Sequence, residues 1–152
     1  MKRLLMPILL IILWQSAAHA QIKILDEIEK PIEIINSGTV YELRADKLLD
    51  GRIKIAFRSD SGDRYQYGQF YLANGSDFKE LGTLLKSGFS ENKERVVRID
   101  IGESVLEVQF HSMLIGGPKV ILHHYYKSNP YSSRSSRYYS KRDIEKLFKP
   151  IE

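Results

Sequence analysis

The sequence predicts an α+β domain in which an antiparallel sheet of about six strands is covered by two helices, in the order β-β-β-α-β-β-β-α. Three observations predict this class: apolar residues that recur at every second position, one stretch with apolar residues at helical spacing, and turn sequences between these stretches. A chain of 152 residues without internal repeats has room for one such domain, which we place at residues 39–150.

The first twenty residues have the three parts of a secretory signal peptide. Lys2 and Arg3 give a positive start, residues 4–14 are apolar, and Ala18 and Ala20 are small residues where a signal peptidase cuts. A helix of about eleven residues crosses only about half of a hydrocarbon core of about 30 Å. We therefore predict cleavage near Ala20 and a periplasmic or secreted protein without stable membrane insertion. The alternative is an uncleaved signal that tethers the domain to the inner membrane.

The absence of cysteine and the charge of the chain limit the cellular compartments and the classes of binding partner that we expect. The chain has no cysteine, which excludes disulfides and favours a bacterial envelope over secretion from a eukaryotic cell. The formal charge of +4 includes Lys2 and Arg3, so the exported protein carries about +2 and gives no reason to expect a nucleic-acid partner. Residues 21–50 are rich in acid, whereas residues 125–142 are basic. This asymmetry predicts either a face for an anionic partner or an attraction between the two ends of the fold.

The strands follow from period-two patterns. Residues 21–38 are predicted to be an edge strand or a connector, because Pro31 interrupts their alternating isoleucines. The six predicted strands are 39–44, 52–59, 64–72, 95–101, 105–112 and 119–126. A two-residue turn at Gly102 and Glu103 pairs Ile101 with Ser104 and puts the apolar residues of both flanking strands on one face.

Two helices follow from apolar residues at helical spacing. Asp77 and Glu80 have the spacing of a capping box, and Gly88 supplies a C-terminal stop. The apolar residues between them are Phe78, Leu81, Leu84 and Leu85. Ser140 is the predicted cap of a short final helix that carries Ile144, Leu147 and Phe148 on one side.

Residues 76–79 have the spacing of the Ser-x-x-Lys motif, but a helix cap explains them without catalysis. No other nucleophile, metal or nucleotide motif is present, so we predict no catalytic residue, no metal and no cofactor. His111 and His123 lie opposite each other if the loop between their strands has an odd number of residues, with Glu107 on the same face. Two imidazoles are too few ligands for the usual zinc site. A small periplasmic hydrolase that uses His111 or His123 with a carboxylate such as Glu107 is the enzymatic alternative.

The segment 123–139 interleaves tyrosines with basic residues around a serine-rich centre, and we predict a flexible loop at 127–139. Tyrosine and arginine dominate many contact surfaces. The predicted binding residues are Tyr125, Lys127, Tyr131, Arg134, Arg137 and Tyr138.

These observations predict an exported, non-enzymatic binding protein of the bacterial envelope that contacts another protein or a cell-wall glycan. An immunity or inhibitor protein for an exported toxin is one specific form of this hypothesis. A third alternative is a structural subunit that assembles by sheet-edge pairing, in which the isoleucine-rich segment 22–35 adds a strand to a neighbouring sheet. A homo-oligomer is therefore one of the expected partners.

Overall fold

The computed structural model describes residues 26–37, 40–60 and 66–150. The predicted signal peptide lies outside the described residues. The described chain forms nine strands and two helices in the following order: β1 (Ile28–Ser37), β2 (Val40–Leu48), β3 (Ile53–Arg58), β4 (Tyr67–Leu72), α1 (Gly75–Glu91), β5 (Arg95–Asp100), β6 (Ser104–His111), β7 (Lys119–Tyr126), β8 (Asn129–Ser135), β9 (Tyr139–Ser140) and α2 (Lys141–Leu147).

The strands form two antiparallel sheets, and within each sheet the strands from β1 to β4 and from β5 to β8 pair with their neighbours in sequence. The first sheet has the order β1-β2-β3-β4 and the second the order β5-β6-β7-β8, with β9 also paired to β7. A bridge between Ser59 and Ser136 joins the sheets, and the amide of Asp60 donates to the carbonyl of Ser135 at 3.0 Å. The α+β class is therefore confirmed.

The structure has three strands beyond the six predicted: β1, β8 and the two-residue β9. Of the two alternatives for the segment around Pro31, the edge strand is the one that forms, since β1 pairs with β2 through register shifts on both sides of the proline. An edge strand tolerates proline because one of its sides needs no N–H donor. The strand β8 occupies much of the segment 127–139 that was predicted as a flexible loop, and β9 begins at its end.

The strand β8 forms because β7 offers it an unpaired edge. Between β8 and β9, the amide of Leu122 donates to the Ser136 hydroxyl at 2.9 Å, and the Ser136 amide donates to the Leu122 carbonyl at 2.8 Å. A side chain thus replaces the backbone acceptor where the two short strands are interrupted. The serine-rich composition hides this strand from a pattern that looks for alternating apolar residues.

Helix α1 begins earlier and ends later than the sequence predicts. Its N-cap is Asn74, whose side chain accepts hydrogen bonds from the amides of Ser76 and Asp77 at 2.8 and 3.1 Å. Gly88 does not stop the helix; a methyl group there would collide with the Phe110 ring, so glycine lets α1 lie close to β6. The predicted cap of α2 is confirmed, because Ser140 and Asp143 form a capping box.

The core lies between the inner faces of the sheets and the two helices. The predicted alternation of Ile53, Ile55 and Phe57 is confirmed, since all three are buried. Phe148, which follows α2, stacks on Phe78 of α1. Among the described residues, α2 packs on β1 and β2, whereas α1 packs on α2 and β4, and a cavity separates the first half of α1 from the end of β5.

Candidate functional site: a groove between α1 and β5

A cavity of about 550 Å³ opens where α1 stands away from β5. Its lining comes from four parts of the chain: the end of the β3–β4 hairpin, the first half of α1, the end of β5 and the start of β6. The lining residues are Arg52, Tyr71, Leu72, Ala73, Asp77, Glu80, Leu81, Leu84, Ile99, Asp100, Ile101, Gly102 and Leu106. This volume is in the range of pockets that hold ligands or a few side chains of a partner.

The floor and the walls of the groove are apolar. Leu72 and Leu106 are buried at the floor, and Leu84, Ile99 and Ile101 are only partly covered along the walls. Partly covered aliphatic side chains still expose surface whose removal from water is favourable, at roughly 25 cal/mol per Å². The groove therefore favours a ligand with apolar groups.

The rim of the groove is mainly acidic. Asp77 and Glu80 lie on α1, and Asp100 lies at the end of β5. The Lys127 ammonium donates to both oxygens of Asp100, at 2.8 and 2.7 Å, and this contact lowers the pKa of that carboxyl group. A second cation, Arg52, stands at the opposite end, where Asp50 binds its guanidinium at 2.6 Å. The rim thus favours a cationic ligand over an anionic one.

Tyr71 is held firmly at one end of the groove. Its hydroxyl donates to Asp26 at 2.9 Å, and Lys54 donates to the same carboxylate oxygen at 2.8 Å. Burial, followed by the hydrogen bond to Asp26, raises the pKa of Tyr71 to about 12. The Arg52 guanidinium lies 5.0 Å from the centre of the Tyr71 ring. These contacts fix that end of the groove, so it is preformed.

The strand β5 borders the groove with an unpaired edge. It pairs only with β6, and no other strand in the described ranges lies against its second edge. The Ile101 amide donates to the Ser104 carbonyl of β6, which sets the alternation of the ladder. In an antiparallel pair alternate residues point their N–H and C=O groups away from the partner strand. Val96, Arg98 and Asp100 therefore present free backbone groups at the open edge.

The six predicted binding residues do not form one surface. Lys127 and Tyr131 lie at or near the turn between β7 and β8, and Tyr131 is 98% exposed. Arg137 and Tyr138 lie beyond the other end of β8, where Arg137 binds Glu42 at 2.8 Å. Only Lys127 reaches the groove, through its contact with Asp100.

The two remaining members of the predicted set lie on different sides of the sheet. Tyr125 is partly buried beside the His123 ring, with 5.7 Å between the ring centres. Arg134 pairs with His124 in the register, and its Cβ lies close to Gly68 of β4. Arg134 therefore packs at the junction of the two sheets rather than forming a patch with Tyr125.

The condition for His111 to lie opposite His123 is not met in the structure. Lys119 lies opposite His111, and Glu107 lies opposite His123. Among the residues that the structure describes, no group of three histidines, aspartates or glutamates is placed to hold a metal ion.

A polar row crosses the outer face of the second sheet. Its members, one from each of four neighbouring strands, are Arg98, Glu107, His123 and Ser135. Arg98 and Gln109 donate to the Glu107 carboxylate at 2.8 and 2.7 Å, which lowers the pKa of Glu107. The Ser135 hydroxyl lies 2.6 Å from Nδ1 of His123. Sequence reasoning missed Ser135, because a serine on a strand carries no distinguishing signal.

This row contains the residue types of a hydrolase but lacks its surroundings. Glu107 is already occupied by Arg98 and Gln109, and the row lies on the face of the sheet opposite the one that lines the groove. Cross-strand polar pairs of this kind stabilise the exposed face of a sheet. The groove is therefore the better candidate site.

His124 and Glu42 are buried polar residues that sequence reasoning also missed. His124 is 3% exposed, and Nε2 has no hydrogen-bond partner among the described residues. Burial, followed by the nearby His123, lowers the pKa of His124 to about 4. Glu42 accepts from Arg58 and Arg137, each at 2.8 Å, and ties the first sheet to the segment after β8. Neither residue lines the groove.

Comparison with known protein families, with characterised proteins and with solved structures finds no match, so the groove is interpreted from its own geometry. Neither helix in the described ranges combines the length and the hydrophobicity that crossing a membrane requires.

Proposed function

We propose that this protein is a non-enzymatic binding protein of the bacterial envelope that captures an extended segment of a partner protein in the groove between α1 and β5. The observation that carries the proposal is the unpaired edge of β5 beside an apolar groove. An extended peptide can add a strand to such an edge, with backbone hydrogen bonds for affinity and side-chain pockets for specificity.

The partner segment follows from the chemistry of the groove. Side chains that point inward at every second position would contact Leu84, Ile99 and Ile101, so we expect aliphatic or aromatic residues there. A lysine or arginine would approach Asp77 and Glu80 on the rim. A cell-wall glycan, the other partner class that the sequence allows, fits less well because the groove offers one aromatic ring, Tyr71, and Arg52 covers it.

Substitution of Arg98 gives a direct test. Proline at this position removes a backbone N–H from the open edge of β5 but no N–H that the β5–β6 ladder uses. The matched control is Arg98→Ala, which also loses the exposed ion pair with Glu107 but keeps the N–H. Both variants should stay folded.

The probe is a linear peptide selected from a randomised library for binding to the purified protein. We expect the selected sequences to alternate apolar residues and to include a basic residue. Titration should give equal affinity for wild type and Arg98→Ala, and about tenfold weaker binding for Arg98→Pro, since one backbone hydrogen bond contributes about 1 kcal/mol and proline adds a steric block. Equal binding by Arg98→Pro, or no enriched sequence at all, would refute the proposal.

Charge reversal at Glu80 tests the second half of the proposal. Glu80 is exposed on the rim, so Glu80→Lys should leave the fold unchanged. It should weaken the binding of a basic peptide more at low salt than at high salt. Glu80→Gln serves as the control and should have a smaller effect. A peptide that binds all three proteins equally would exclude the acidic rim from recognition.

A further inference from the structure

The loop between β6 and β7 ends in two aliphatic side chains that the fold leaves uncovered. Leu114 and Ile115 are 106% and 91% exposed, whereas Met113 before them is partly covered. Gly116 and Gly117 follow with φ of 84° and 72°, in the left-handed region that glycine adopts at little cost, and turn the chain back toward β7. The result is a convex apolar tip rather than a groove.

The base of this tip is polar, aromatic and basic. The Lys119 ammonium lies beside Gly116, and the half-exposed Tyr138 packs edge-on against the His111 ring at 5.4 Å. The Ser112 hydroxyl donates a hydrogen bond to Oδ1 of Asn92 at 3.3 Å. Because Asn92 caps the C-terminus of α1, that end of the helix supports the loop. No acidic residue occurs from His111 to Lys119. A lipid bilayer has an apolar interior beneath a layer of polar headgroups. The loop matches these layers, because its aliphatic side chains lie at the tip and its tyrosine and lysine lie behind them.

We infer that the β6–β7 loop docks the protein on a lipid surface, with Leu114 and Ile115 inserted among the acyl chains and Lys119 near anionic headgroups. Two aliphatic side chains provide weak and reversible binding, and electrostatic attraction has to add to it. A convex tip favours lipid as the occupant, because acyl chains can close around it, and the charge of Lys119 favours an anionic surface.

The geometry of the fold supports simultaneous use of the loop and the groove. Leu106, near the start of β6, lines the groove, and β6 ends at His111, where the loop begins. The loop and the groove therefore lie at opposite ends of β6, so a docked protein would hold its groove away from the lipid. The inference does not depend on the proposed function of the groove.

Vesicle sedimentation tests the inference with the full-length mature protein, using vesicles of phosphatidylglycerol and phosphatidylethanolamine. The test variant replaces Leu114 and Ile115 by serine. The control variant is Leu49→Ser, because Leu49 is 57% exposed in the turn between β2 and β3, at the end of the molecule that carries the groove. We expect wild type and Leu49→Ser to sediment equally, and the double variant to bind about tenfold less or not at all.

Lipid composition and salt provide a second readout. Binding should weaken severalfold on neutral phosphatidylcholine vesicles and at high salt, and Lys119→Gln should weaken it on anionic vesicles only. Equal sedimentation of the double variant, or no sedimentation of the wild type, would overturn the inference. A third outcome is that the wild type does not bind vesicles but forms dimers, and that the double variant is monomeric. The tip would then be a protein contact, and the inference would be wrong.

Discussion

Lowering the pH should destabilise this protein through one buried histidine. His124 lies between Phe70 and Tyr126, with ring centres at 5.9 and 5.1 Å, and its pKa is lowered from 6.5 to about 4. The unfolded chain therefore takes up a proton near pH 6.5 that the folded chain refuses until about pH 4. The stability from neutral His124 is complete above about pH 6.5 and is lost progressively as the pH falls toward 4.

The expected loss follows from the size of the shift. A lowering of the pKa from 6.5 to about 4 corresponds to a loss of about 3 kcal/mol in the free energy of unfolding once the pH is below about 4. At pH 5 the loss is about 2 kcal/mol. Among the described residues, four carboxyl groups have pKa values lowered by hydrogen bonds or ion pairs, and they change the stability mainly below pH 5. These groups are Asp26, Asp50, Asp100 and Glu107. The interval from pH 7.5 to pH 5 therefore isolates the histidine.

Denaturant unfolding at these two pH values provides the assay, with His124→Leu as the test variant. Leucine has no buried polar atom to satisfy, so the variant should be at least as stable as wild type at pH 7.5. Between pH 7.5 and 5, wild type should lose about 2 kcal/mol more than the variant. An equal loss in both proteins would refute the assignment of the pH dependence to His124.

Three further substitutions test packing, the buried ion pairs and the helix cap. Gly88→Ala should lower the free energy of unfolding by about 1–3 kcal/mol, because the new methyl group meets Phe110. The control Gly75→Ala has open space and should leave the free energy of unfolding unchanged. A Gly88→Ala variant as stable as wild type would contradict the close approach of α1 to β6. Glu42→Ala should cost about 2 kcal/mol by leaving two arginines without their carboxylate, and Glu42→Gln should cost less, as measured by denaturant unfolding. Ser140→Ala should cost about 1 kcal/mol through loss of the α2 cap, and an unchanged melting temperature would argue against that cap.

The parts of the fold that depend on local pattern were predictable from the sequence. The hairpin of β5 and β6 has the predicted register, with Ile99 opposite Leu106 and Val97 opposite Val108. Turn chemistry and apolar alternation agree in that segment, so only one register buries the apolar side chains.

Two strands form because of their neighbours: β8, which was not predicted, and β1, which was predicted only as the alternative to a connector. The strand β8 contains serines and Arg134 rather than apolar residues, and it exists because β7 presents an edge that needs hydrogen bonds. Pro31 breaks the pattern of β1 but not its pairing with β2. In both segments tertiary context overrides the local preference.

The groove was not predictable for a different reason. Leu84 and Ile99 belong to elements that local pattern identifies correctly, but the space between them depends on how far α1 stands from β5. At the far end of α1, Gly88 and Phe89 pack against Phe110 of β6, a contact between elements that local pattern does not relate. No local pattern reports such a spacing.

The pairing of sequence neighbours within each sheet has a consequence for how the chain folds. Every hairpin closes a short loop, so the entropy lost before each new contact is small and the average separation of contacting residues stays low. Each half of the molecule can assemble its sheet without waiting for the other half. The bridge from Ser59 to Ser136 spans much of the chain and is expected to form last, as the step that locks two prebuilt halves together.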